Sequence, residues 1–414
     1  MNRRVLLLEP PYKNKYPPMG LMKLATYFRR CNDNVRFFKG KLKDLALDLL
    51  CEEFFSEIDR KSFSKFFPRL REYIKTGKYS LIEAIPNFCN LKNEFIIQNY
   101  RKRFRTCDYP KFDIIAVTTL FTFCWKETID TINGAKDFLK SSGRLLVGGV
   151  AASLVPEEIA RETETGIKPE IIKGTLNSAG MIDPDNTDII DSLPQDYSIL
   201  EEIEYKYPSH DAYFAYTTRG CIRRCPFCAV PILEPEYKNF SGIYEQIKYI
   251  DEHFGARKDL LLMDNNVLAS ECFDEIIDEI KRCGFDKDAS YIPPDEYDIA
   301  IRNLRDGFNP RAYIRKIIGV YNAVSSRLSD KEAGEFYIFR KNNGLLYPET
   351  ADSESVLNAD SYFMSLYTKY FRPVKRSRYV DFNQGIDARL INDENMRKLA
   401  EVNIRPLRIA FDHY

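Results

Sequence analysis

Residues 213–228 read Tyr-Phe-Ala-Tyr-Thr-Thr-Arg-Gly-Cys-Ile-Arg-Arg-Cys-Pro-Phe-Cys. The run Tyr213–Thr217 has the apolar character of a buried strand, and it releases at once into a polar loop with three cysteines. In βα barrels the chemistry sits at the carboxyl ends of the strands, so the remainder of the chain is read outward from this point. Downstream, strand patterns recur at Leu260–Met263, Val380–Phe382 and Leu407–Phe411. Tyr244, Ile247, Ile250 and Phe254 form one intervening helix face, and Phe273, Ile276, Ile277 and Ile280 form another. Each strand ends in polar residues: Asp264-Asn265-Asn266, then Asn383-Gln384-Gly385-Ile386-Asp387-Ala388-Arg389, then Asp412-His413. Residues 212–414 are expected to form a partial (β/α) barrel, with an insertion at 286–377 that carries a helix at 311–327. The barrel reads as truncated after its fourth strand, because an open end leaves an unpaired edge.

Upstream the same alternation appears. Val5–Glu9, Val35–Phe38, Ile114–Thr119, Leu145–Val147 and Glu170–Gly174 read as strands. Leu21, Leu24, Ala25 and Phe28 mark a helix face between the first two, and Ile129, Ile132, Ala135 and Leu139 another. Strands alternating with helices imply a parallel sheet covered on both faces. Residues 1–175 are therefore expected to form an α/β domain, doubly wound and Rossmann- or flavodoxin-like, on a five-stranded parallel sheet. A helical insertion spans 43–110. Residues 176–211, with Pro184, Asp185, Pro194 and Pro208, read as a linker draped over the surface.

Across 414 residues, 61 Lys and Arg balance 61 Asp and Glu, which excludes a global pull toward nucleic acid or an anionic membrane. Local runs remain. Arg101-Lys-Arg-Phe-Arg105 reads as a solvated helix end, with an anion or RNA contact as the alternative. Arg372, Lys375, Arg376 and Arg378 would admit an anionic substrate, a phosphorylated metabolite or RNA, if they faced the barrel mouth. Apolar runs such as Ile114–Val117 are strand-length, against the ~20 residues of a membrane span. The N-terminus lacks the pattern of a signal peptide, so a cytoplasmic protein is expected. Seven of the ten cysteines are scattered, as small buried hydrophobes are.

The other three, Cys221, Cys225 and Cys228, need another account. Thiolates at C-x3-C-x2-C on one loop can converge on a 4Fe-4S cluster and leave its fourth iron without a protein ligand. Gly220 permits the turn into the loop, and Arg223 and Arg224 offset negative charge. The alternative is zinc, which wants a closed tetrahedron. The nearest fourth ligands, His210 and Cys272, sit in no paired motif.

With Phe227 before its third cysteine, this loop resembles the signature of the radical S-adenosylmethionine superfamily. The resemblance implies that the open iron chelates the amino and carboxylate groups of S-adenosylmethionine. It also implies one-electron cleavage to a 5′-deoxyadenosyl radical that abstracts hydrogen from a substrate, with an electron donor such as flavodoxin or ferredoxin. Phe227 would lie along the adenine. Asp264 and Asn265 would hold the methionine amino group, and Asn383, Gln384, Asp387 and Arg389 would reach ribose and carboxylate. The N-terminal half resembles the cobalamin-binding domain that precedes many such barrels, on Glu9-Pro10-Pro11, Pro18-Met19-Gly20-Leu21, Val147-Gly148-Gly149, Ala151-Ala152-Ser153 and Pro156-Glu157-Glu158. Gly148, Gly149 and Ser153 would then border cobalamin, and the reaction would be methyl transfer or a rearrangement. Two other readings stand beside this one: a methylthiotransferase acting on tRNA, with a second cluster, and a non-catalytic scaffold or zinc-binding module.

Overall fold

A computed structural model of the chain describes residues 2–163 and 166–410. Its N-terminal sheet comprises β1 (Arg4–Glu9), β2 (Asn34–Lys39), β3 (Phe112–Thr119), β4 (Leu139–Gly149) and β5 (Glu170–Ile172), in the order β2-β1-β3-β4-β5. Every pairing is parallel, with Val5 opposite Val35 and Ile114, and Val117 opposite Val147. Alternation along β1 decides the two faces. Val5 and Leu7 enter one core with Ile114, Ala116 and the helix Met19–Arg30. Leu6 and Leu8 enter another with Ile115, Val117, Leu145 and Val147. The 43–110 insertion covers that second face through the helices Leu42–Glu57, Phe67–Thr76 and Leu91–Arg105. Its basic run is a helix end that caps a neighbour: Arg101 Nη1 donates to the carbonyls of Ile74 (3.0 Å) and Lys75 (2.5 Å).

The second parallel sheet holds β6 (Ala212–Ala215), β7 (Asp259–Leu262) and β10 (Val380–Phe382) in the order β10-β7-β6. An antiparallel pair, β8 (Ser290–Tyr291) and β9 (Arg376–Ser377), brackets the second insertion. The four-strand expectation changes at its last member. Gly385, at φ +82°, turns the chain after β10, and its N–H donates to the Phe382 carbonyl at 2.8 Å. The chain thereby leaves the sheet as β11 (Ile386–Asp387), and β12 (Ile409–Ala410) pairs with β11 instead. Phe411, Asp412 and His413, expected at the fourth strand's end, lie outside the described residues.

One further expectation is corrected. The 176–211 segment is no surface drape: Ile182, Ile190, Leu193, Tyr197, Ile199 and Tyr207 are buried in the core shared by both sheets. Its side chains complete that core's polar edges, Gln195 Nε2 donating to the Phe214 carbonyl (2.8 Å) and Tyr197 Oη to that of Ala212 (2.7 Å). The second insertion is a helical bundle with its own core. It packs Glu296–Arg305, Pro310–Ser325, Asp330–Asn342 and Ser353–Tyr367 around Tyr297, Tyr321, Phe336 and Phe363. Among the described residues no helix is long and apolar enough to cross a membrane.

Candidate functional site

The loop that follows β6 is held from below by a carboxylate on β7's end. Asp264 Oδ1 accepts from Thr217 Oγ1 (2.9 Å), Thr218 Oγ1 (2.7 Å) and the Thr218 backbone N–H. Burial pushes the Asp264 carboxyl up, and its Oδ2 is buried with no partner. Asp264 thus ties two strand ends together through one oxygen. Arg219 then pairs with Lys238 through the backbone, its N–H donating at 3.2 Å and its carbonyl accepting at 2.9 Å.

Gly220 follows at φ +68°, where a Cβ would meet the Glu236 carbonyl oxygen at 2.3 Å, so only glycine enters this turn. Glu234 locks the same point. Its Oε2 accepts from the Gly220 N–H (2.8 Å) and from Asn265 Nδ2 (3.1 Å), and its Oε1 pairs with Arg219 Nη1 at 2.6 Å. Cys221 Sγ accepts from the Arg223 N–H at 3.3 Å and from Asn266 Nδ2 at 3.7 Å. Bonds of this kind stabilise a thiolate and tune a metal that it holds. Cys221, Cys225 and Cys228 are all partly exposed, and Phe227 is 73% exposed. Among the described residues no three His, Cys, Asp or Glu side chains are gathered around a point that could hold a metal. Donor type and the Gly220 turn fit a thiolate-bound cluster, and the orphaned Asp264 Oδ2 and Asn266 Oδ1 lack a hydrogen-bond donor; the side-chain placement does not gather the three thiols around one point.

The segment after β10 reaches this loop through Asp387. Its carboxylate, buried at 5% exposure, pairs with Arg389 Nε (2.6 Å) and Arg223 Nε (3.2 Å) and accepts from Asn266 Nδ2 (3.3 Å). Burial would raise its pKa, but the hydrogen bonds and charge of Arg389, with Arg223 behind, hold it at about 2. Asp387 and Arg389, both expected at a ligand, lie in this network. They bind each other and brace the cysteine loop. Asn383 accepts from Tyr16 Oη at 2.5 Å, which bridges the two halves of the molecule, and Gln384 is exposed.

Between the carboxyl ends of the two sheets lies a cavity of about 490 Å3. The N-terminal sheet lends it Gly148, Gly149 and Ser153; the barrel sheet lends Tyr216, Met263 and Asn383. At Gly149, φ +110°, a Cβ would sit 2.3 Å from the Thr119 carbonyl oxygen. Ser153 Oγ donates to the Gly149 carbonyl (2.8 Å) and accepts from the Gly174 N–H (2.9 Å), so its hydroxyl closes the rim rather than standing free. Two buried charge systems border the cavity. Lys23, Asp191, Arg219 and Glu234 run in a line from the first helix to the cysteine loop, with Arg219 also stacked 3.6 Å from the Tyr216 centroid. Beneath, Lys39 pairs with Glu9 at 2.9 Å, and Tyr207 Oη donates to the same carboxylate. Burial raises the Glu9 carboxyl and lowers the Lys39 ammonium, each partly offset by the other.

The structure thus brings Cys221, Asp264, Asn265, Asn266, Asp387 and Arg389 into one network and places Gly148, Gly149, Ser153, Asn383 and Gln384 on the cavity. Sequence reading did not find Glu234, Lys23 or Asp191. None stands in a local pattern, and each works through a partner far away in the chain.

No family model matches this sequence, and no curated protein matches it. Among solved structures, the chain is similar to the radical S-adenosylmethionine methyltransferase TsrM from Kitasatospora setae, described with cobalamin and a [4Fe-4S] cluster bound. The identity is 14%, over 68% of this chain and 51% of that one, with a TM-score of 0.34. The cobalamin-dependent S-adenosylmethionine radical enzyme OxsB is 11% identical over 96% of this chain and 51% of its own, with a TM-score of 0.32. Glycerol-3-phosphate dehydrogenase from Coxiella burnetii is 11% identical over 89% of each chain, with a TM-score of 0.19. The chain spans about half the length, 51%, of the first two.

Proposed function

We propose that this chain is a radical S-adenosylmethionine enzyme whose cluster ligands are Cys221, Cys225 and Cys228. The observation that carries the reading is the cysteine loop at the carboxyl end of a parallel strand, turned by an obligatory glycine and fixed by Glu234, Asp264 and Asp387. Held by Cys221, Cys225 and Cys228, a 4Fe-4S cluster would supply the one-electron reduction that cleaves S-adenosylmethionine and so permits hydrogen abstraction from a substrate. The electron would come from a small donor of the flavodoxin or ferredoxin kind. Asn266 and the Arg223 N–H serve Cys221 Sγ as donors, and the Arg223 guanidinium places positive charge beside the loop. Asn265, held by Glu234, stands where the methionine amino group would be met. The cavity between the sheets, walled in part by Leu21, Leu146, Val150 and Ile172, would take cobalamin, and methyl transfer is then the reaction we favour.

The test is anaerobic reconstitution followed by low-temperature electron paramagnetic resonance of the dithionite-reduced chain. A signal from about four irons per chain that changes when S-adenosylmethionine is added supports the reading. Iron content unchanged in Cys221→Ala, Cys225→Ala and Cys228→Ala alike would sink it.

A further inference from the structure

Arg372 and Arg376 do not face the barrel mouth. Arg376 lies in β9, just before β10, so it marks the amino-terminal end of the barrel sheet, opposite the cysteine loop. A second cavity of about 460 Å3 opens there, within the ~300–1,000 Å3 of small-ligand sites. Asp211 and Arg257, which precede β6 and β7, form its floor, and the helical bundle of the second insertion forms its wall.

Four arginines border this cavity: Arg257, Arg327, Arg372 and Arg376. Among the described residues none of them has a carboxylate at ion-pair distance, whereas Glu201 and Glu296 are both engaged by Lys316, at 2.9 and 3.2 Å. Lys316 holds the Glu201 carboxyl down at about 2 against the burial that would raise it. Asp211, on the floor, is at ion-pair distance from none of the four among the described residues, so the nearby acids leave the arginines without a carboxylate partner. Arg257 lies over the Tyr197 ring at 4.5 Å, and its Nε is buried without a hydrogen-bond partner. Beside prolines and aliphatic residues the wall carries Tyr291, Tyr313, Tyr367 and Phe371, the last two stacked at 5.5 Å. Arg257 donates to the Phe254 carbonyl (3.0 Å) and Arg372 to those of Thr368 (3.0 Å) and Phe371 (2.6 Å), which orients both but leaves their charge without a carboxylate. Guanidinium groups in that state select a phosphate, and flat aromatic walls select a planar ring.

We propose that this cavity binds a nucleoside monophosphate, its base among the tyrosines and its phosphate on Arg327, Arg372 and Arg376. The ligand is either the free nucleotide or the 5′-phosphorylated end of an RNA strand. The site is separate from the cysteine loop and stands whether or not the chain holds a cluster.

Calorimetric titration of the full chain with AMP tests it. The doubly reversed variant Arg327→Glu/Arg376→Glu alters two exposed side chains, and circular dichroism checks that it folds. The expected result is saturable binding of AMP that weakens at least tenfold in that variant and is unchanged in Cys225→Ala. Tighter binding of a short 5′-phosphorylated RNA than of AMP, lost in the same variant, supports the site and assigns its ligand to RNA; equal or weaker binding assigns it to the free nucleotide. The proposal is overturned by no AMP binding at millimolar concentration, or by inorganic phosphate displacing AMP at equal concentration. Binding that survives the charge reversal but is lost in Cys225→Ala overturns it too, since the nucleotide would then sit at the cysteine loop.

Discussion

At the rim of the N-terminal sheet, Thr119, Gly148, Gly149 and Gly174 meet the central cavity with backbone and small side chains. At the rim of the barrel sheet, Thr217, Thr218, Asp264, Asn266 and Asp387 form a lattice of buried hydrogen bonds and charge. Both rims are carboxyl ends of parallel strands, where the fold leaves N–H and C=O groups and loops free for chemistry. One rim sets glycines and small side chains among apolar ones, which lets a bound group approach the backbone closely there. The other has been filled with side chains that hold each other, which suits a loop whose position must not wander. Shape is specified on one side and rigidity on the other.

The sharpest way to break this comparison is a methyl group at each rim. Gly220→Ala and Gly149→Ala both place a Cβ 2.3 Å from a carbonyl oxygen at a positive φ. Each is expected to cost about 2–4 kcal/mol of stability in urea unfolding. They should part in function: Gly220→Ala abolishes iron incorporation, whereas Gly149→Ala retains iron and loses cobalamin binding measured by absorbance. Identical losses of both groups in both variants would refute separate roles for the rims.

Asp264 offers a smaller contrast. Asp264→Ala leaves the Thr217 and Thr218 donors without an acceptor and should cost about 2–3 kcal/mol. Asp264→Asn keeps an acceptor oxygen and should cost less than about 1 kcal/mol, because burial already disfavours the carboxylate. A similar cost for both would show that the charge matters and not the acceptor.

The Asp387 prediction concerns pH. Its folded pKa, about 2, lies below the ordinary carboxylate value, so its pairing with Arg389 and Arg223 contributes stability above about pH 4. That contribution is lost as pH falls toward the folded value. A shift of this size corresponds to about 2 kcal/mol. Urea midpoints measured from pH 6 to pH 2 should therefore fall less steeply in Asp387→Asn than in the parent chain; equal slopes would overturn the assignment. Smallest of all is Ser153→Ala, expected to cost about 1 kcal/mol for the lost hydroxyl bonds at the glycine rim, read as a shift in thermal midpoint.

The N-terminal sheet was legible because its strands are buried on both faces, so Val5–Glu9 and Ile114–Thr119 announce themselves as unbroken apolar runs. The cysteine loop was legible because three cysteines crowd into eight residues. The linker was misread because its prolines are conspicuous, while the spacing of Ile190, Leu193, Tyr197 and Leu200, which is the core-facing signal, runs through short turns and one-turn helices. In the second insertion only the stretch near 311–327 stood out. The helix Ser353–Tyr367 buries Val356, Ala359, Phe363 and Leu366 at helical spacing, but Ser, Asn and Asp between them dilute the pattern. The ion pair of Asp387 with Arg223 of the cysteine loop was not legible, since it depends on how the chain turns at Gly385.

The burial of residues 182–207 in a core common to both sheets has a consequence for how the molecule responds to whatever fills its centre. Two domains on a free tether would melt separately, each reporting only its own ligand. Here the tether is part of the interior, so unfolding either half exposes apolar surface belonging to the other. The chain is therefore one cooperative unit across both sheets, and a ligand that binds at the cysteine loop also stabilises the far edge of the N-terminal sheet. Amide exchange in β2, remote from the loop, should slow when that ligand is added.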